Sequence, residues 1–176
     1  MRTCFLSFFL LLTLCVSAQQ TANNSIDLVK VTKKNYSLYY PKSWAIDTSK
    51  ILGADMFIAS PKTDSLDDFS ENMNIFVQNL SGQNYNLYKM GKESEAQVKN
   101  MVTNVDIIES RLDSTTSQHY YCLKYKGQQG KFFLTTIQRY YLKNEVGYAL
   151  TFTVKNSKET DYALLAEKMF NSFILN

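Results

Sequence analysis

His119 is the only histidine in this 176-residue chain. A two-histidine metal site or a familiar zinc pattern therefore cannot be assembled. A serine or cysteine nucleophile would have to recruit that one imidazole as its base. Cys122 stands three residues further on, inside a run that reads as a strand. Side chains three apart on a strand point to opposite faces, so the two are not poised as a catalytic pair. The six glycines form no G-x-S-x-G elbow, phosphate loop or dinucleotide fingerprint. Asp64, Asp67, Asp68 and Glu71 offer oxygen ligands for calcium, but without the alternating Asp-x-Asp-x-Asp-Gly of a preformed loop. They are expected to form a solvated surface loop. These residue types predict no catalytic residue, no cofactor site and no metal site, and a protein that is not an enzyme.

Tyrosine is the unusual enrichment, with twelve in the chain. Tyr39-Tyr40, Tyr120-Tyr121 and Tyr140-Tyr141 are doublets within strand-like runs. Alternation sends one ring of each doublet to each face of a sheet. Strand packing alone accounts for much tyrosine. The sharper expectation is an aromatic partner surface, with Tyr120 and Tyr140 as its candidate residues, since tyrosine gives large contact area at small entropic cost. Trp44, beside the Pro41 turn, is expected to be structural.

The elements that must position these side chains follow from hydrophobic period. Leu28, Val29 and Val31 begin a strand that leads to Tyr36–Tyr40, which Pro41 ends. Trp44–Ile46 and Met56–Ala59 are short extended runs, and Met73 to Leu80 alternates with Met73, Ile75 and Val77 on one side. After Ser81-Gly82 the period lengthens. Leu87, Met90, Gly91, Ser94, Val98, Met101 and Val102 form one stripe of a helix over 85–103, with Lys89, Lys92, Glu93, Glu95 and Lys99 opposite. Strands follow at Val105–Leu112, His119–Tyr125, Lys131–Leu142 and Val146–Val154, the last two joined by a hairpin at Lys143-Asn144. A final helix carries Tyr162, Leu165, Ala166, Met169, Phe170 and Phe173 on its apolar face, with Ser157 or Thr160 as N-cap and Lys158, Glu159, Glu167 and Lys168 in water. This order predicts an α+β fold, an antiparallel sheet flanked by helices.

The start of the chain is different in kind. Arg2, the apolar run from Phe5 to Val16 and the small residues Ser17 and Ala18 read as a signal peptide over 1–18, cleaved near Ala18. The run falls short of the roughly 20 apolar residues that a spanning helix needs, so no transmembrane anchor is expected. Leu14 stands directly before Cys15, where a lipoprotein leader ending at that cysteine carries a small residue, which disfavours lipidation. The expected product is secreted or periplasmic, with a flexible polar tail over 19–27 and one domain over 28–176. The net charge of +3 is spread along the chain, with no basic stripe that would track phosphates, so nucleic acid is not an expected partner.

Tyr36-Ser37-Leu38-Tyr39-Tyr40-Pro41-Lys42-Ser43-Trp44 is an aromatic strand followed by Pro-x-x-Trp, and with the hairpin Phe132–Val154 and a final helix closing on Phe170–Ile174 it resembles the PsbP-like, Mog-type superfamily, in its bacterial secreted branch. The resemblance covers nearly all of residues 26–175. It implies an α/β/α sandwich around an antiparallel sheet, and a binding or assembly role rather than catalysis. No photosystem role and no Ran-binding surface carries over residue by residue. The expectation is a non-catalytic module acting on an envelope or extracellular protein partner. The alternative is a carrier of a small apolar or amphiphilic ligand, held between sheet and helix by Tyr, Phe and Met.

Overall fold

The computed structural model describes residues 26–176. The expected leader, with Cys15 and Ala18, and most of the expected tail over 19–27 lie outside the described residues. Ten strands and two α-helices follow. They are β1 (Leu28–Thr32), β2 (Tyr36–Pro41), β3 (Ala45–Asp47), β4 (Met56–Ala59), β5 (Asn72–Asn79), α1 (Leu87–Met101), β6 (Thr103–Ser114), β7 (His119–Gln129), β8 (Phe132–Lys143), β9 (Val146–Lys155), α2 (Glu159–Asn171) and β10 (Ile174–Leu175). The fold is α+β, as the periodicity predicts, with two antiparallel sheets rather than one. The larger runs β3-β4-β5-β9-β8-β7-β6 and the smaller β1-β2-β10.

Alternation along the long strands divides the interior in two. On one face of the large sheet, Met73 and Ile75 of β5, Tyr148, Leu150 and Phe152 of β9 and Tyr141 of β8 meet Tyr36 and Leu38 of β2 and the buried face of α2. On the other face, Tyr121, Leu123 and Tyr125 of β7 and Tyr140 of β8 meet Val98 of α1. Gly91 lets α1 approach closely, because a Cβ there would run into the Tyr121 ring. Trp44 is buried in the first cluster, its ring 6.2 Å from Phe152 and 6.1 Å from Tyr162.

Four details depart from the periodic reading. The β8–β9 turn is Asn144-Glu145, since Lys143 pairs with Val146. The N-cap of α2 is Lys158, which closes a 3-10 turn over Asn156–Lys158, so neither Ser157 nor Thr160 caps it. The chain after α2 becomes β10, whose Ile174 and Leu175 pair with Ser37 and Tyr36. Glu95 and Glu159, expected in water, are partly covered and held in ion pairs with lysines. No helix among the described residues is long and apolar enough to cross a membrane.

Candidate partner-binding site

Alternation places Tyr120 on the α2 side of the sheet and Tyr121 on the α1 side, and the reverse for Tyr140 and Tyr141. Tyr120 and Tyr140, the candidate partner surface, therefore lie on opposite faces, and both are covered, at 5% and 6% exposed. The Arg139 guanidinium lies over the Tyr120 ring at 4.5 Å, and over Phe170 of α2 at 4.8 Å. Tyr140 sits under α1, its hydroxyl donating to Gln138 Oε1 at 2.7 Å. The two do not form an outward patch, because each face of this sheet has its own covering layer.

A concavity of about 830 Å³ lies elsewhere. It wraps round the end of the large sheet where α1 begins, β6 and β8 end, β7 begins and β10 runs past. Leu87, Tyr88, Leu112, His119, Leu142 and Leu175 line it. Tyr88 is 57% exposed and Leu112 52%, large apolar side chains that the packed layers leave in water. Helix α1 begins at Leu87, and its stripe covers the middle of β7 and β8 rather than this end. Gln118 and Lys143 supply polar groups at the groove's margin. Asp113 also lines it, but its carboxylate is taken by Arg111 at 2.6 Å. Hydrophobic period places Leu112 on a strand without showing its neighbours. Only the register, Leu112 opposite Tyr121 and Ser114 opposite His119, brings it to the groove.

A second, polar cleft of about 290 Å³ lies on the α2 side, beside the buried Arg139. Arg139 donates to both oxygens of Glu167, at 2.7 and 3.0 Å, and to Asn171 Oδ1 at 2.8 Å. Arg111 bridges Glu109 at 2.8 Å and Asp113 at 2.6 Å across β6. Lys124 and Lys126 both reach Glu159, each at 2.7 Å. Cationic and anionic side chains thus answer one another across this face, which α2 does not fully roof. Cys122 is buried here, and His119 is exposed on the opposite side, so the two do not meet. The acidic loop is a lysine clamp: Asp68 pairs with Lys131 at 2.5 Å and Lys155 at 2.6 Å, and Asp67 with Lys158 at 3.3 Å. Three hydrogen bonds from Thr63 and Phe69 to Asp67 add to that closure.

Neither a protein-family model nor a curated protein matches the chain. Solved structures do. The cyanobacterial PsbP (CyanoP) of Synechocystis sp. PCC 6803 superposes with a TM-score of 0.65 at 13% identity, covering 88% of this chain and 96% of that one. LpqN of Mycobacterium tuberculosis, described as involved in cell envelope biogenesis, gives 0.63 at 12% identity over 87% and 92%. The Saccharomyces cerevisiae Ran-binding protein Mog1p gives 0.56 at 9% identity over 86% and 96%.

The chain has the PsbP-like, Mog-type fold. At these identities the likeness is one of architecture, so the chemistry must be read from this chain's own side chains. Burial, with Glu109 nearby, pushes the Cys122 thiol up to about 12, which leaves it protonated and a poor nucleophile at neutral pH. Burial likewise pushes the Tyr141 hydroxyl to about 12. The charged side chains on the α2 side of this PsbP-like sheet pair with one another. The groove is a concavity whose lining is mainly apolar.

Proposed function

We propose that this protein is a non-catalytic binding or assembly module that acts outside the cytoplasm on an envelope or extracellular protein partner, and that the groove at the end of the large sheet is where the partner docks. The carrying observation is the exposure of both Tyr88 and Leu112 on the wall of one groove, which Gln118 and Lys143 also line. An apolar floor with a polar rim is the anatomy of a protein contact. Export is supported by the leader-like residues Arg2 to Ala18. The PsbP-like neighbours include one tied to envelope biogenesis and one that binds another protein, which supports a binding role. Between the sheet and α2, one of the two places where a ligand carried between sheet and helix would sit, the space is filled by Phe152, Met169, Phe170 and Phe173, each at most 1% exposed.

The test compares wild-type protein with Leu112→Asp as bait in envelope extracts, after circular dichroism has shown both to be folded. Leu112 is half exposed, so the variant is expected to fold and to lose the partner. Equal capture by both baits would move the contact away from the groove.

A further inference from the structure

The groove has a feature that an apolar hollow alone does not explain. Strand β10 lies at the edge of the small sheet, with β2 on one side. On its other side, three successive outward backbone groups are bonded by side chains instead of by a strand. The Phe173 carbonyl accepts from Gln118 Nε2 at 2.6 Å, and the Leu175 N–H donates to Gln118 Oε1 at 3.1 Å. The Leu175 carbonyl accepts from Lys143 Nζ at 3.3 Å. Gln118 offers one amide donor and one acceptor, the pair that a neighbouring strand would offer. Gln118, Lys143 and Leu175 all line the groove.

We propose that the groove binds its partner as an added β-strand: an extended segment that displaces the Gln118 amide from the outer edge of β10 and seats alternate apolar side chains against Leu87, Tyr88, Leu112 and Leu142. This rests on the groove being the docking site and names the form of the occupant. Strand addition draws register from backbone bonds and specificity from pockets for alternate side chains. Exchanging two side-chain hydrogen bonds for two backbone ones is close to neutral, so the affinity comes from the apolar wall. Charge selects further. Lys143 Nζ donates to the main-chain oxygens of Leu175 and Asn176, at 3.3 and 2.7 Å, but pairs with no Asp or Glu side chain among the described residues, and Arg111 already neutralises Asp113. The segment that fits therefore carries an acidic residue beside its apolar ones.

Panning a phage library of random nonapeptides on the full protein, with Leu112→Asp as counter-selection, tests this. Enriched peptides are expected to alternate apolar and polar residues and to include Asp or Glu. Each is then synthesised with free and with alternately N-methylated backbone amides, and its binding followed by fluorescence anisotropy. N-methylation on the bonding side is expected to weaken binding at least about tenfold, and Leu175→Pro, which deletes the outward donor, at least about fivefold. Gln118→Ala frees the edge and is expected to tighten binding about threefold. Peptides that depend on Leu112 but tolerate N-methylation on either set of amides would overturn strand addition and leave the groove standing. No enrichment over Leu112→Asp would overturn both. N-methylation leaves the protein untouched, so its effect on binding does not depend on how the variants fold.

Discussion

Cys122 shows how burial decides chemistry at the scale of one residue. Its thiol lies in the α2-side cluster with Tyr120 and Tyr141, and burial, reinforced by Glu109, raises it to about 12. A thiol reagent at pH 8 is therefore expected to leave Cys122 untouched in the folded protein and to react fully in urea, with Cys4 and Cys15 first replaced by serine. Fast labelling of the native state would show a thiol within reach of solvent where the structure has it buried. The same burial explains which part of the tyrosine pattern was legible. Alternation tells that the doublets send one ring to each face, and they do. It does not tell whether a face is covered, which for Tyr120 depends on Arg139 from β8 and Phe170 from α2. Those neighbours are set by tertiary packing and have no local signature.

Elements with a strong period were readable, and their joints were not. Both helices and the long strands stand where hydrophobic spacing puts them, because each buries a face whose repeat is written in the chain. Strand β10 escaped, since two residues carry no period and its pairing with Tyr36 and Ser37 is wholly non-local. The β8–β9 turn escaped for a different reason. A two-residue hairpin of this hand needs φ above zero at both positions, which favours Asn-Gly. Here Asn144 has φ 52° and Glu145 has φ 58°, so a residue with a Cβ occupies the second left-handed position. Glu145→Gly should relieve that conformation and stabilise the fold by about 1 kcal/mol, while its backbone carbonyl still accepts from Leu80 N at 2.8 Å. Urea unfolding measures the gain, and a lowered midpoint would mean that the Glu145 side chain contributes more than its backbone conformation costs.

Across the whole molecule, acidic groups tie the layers together, and this sets how the fold should answer acid. Glu95 of α1 accepts from Lys92, Lys99 and Ser110 of β6, and those bonds, led by Lys92, hold its carboxyl at about 2. At the start of α2, burial works against the Glu159 carboxylate, but Lys124 and Lys126 of β7 outweigh it and hold it also at about 2. One group thus joins α1 to one face of the sheet and the other joins α2 to the opposite face. Both are lowered relative to the unfolded chain, whose glutamates titrate near 4.3. Their stabilisation is accordingly fully present above about pH 4.5 and is lost as pH falls towards 2. The urea midpoint of the wild-type protein is therefore expected to hold steady from pH 7 to 5 and to fall steeply between 4.5 and 2. The Glu95→Gln, Glu159→Gln double variant should be weaker at pH 7 and lose less over that acid range, so that the two curves converge. Parallel curves would assign the acid response to other carboxylates, such as the lysine-clamped Asp67 and Asp68, which are lowered as well. Convergence would place the acid-sensitive joints where the two helices meet the sheet, away from the groove at its end.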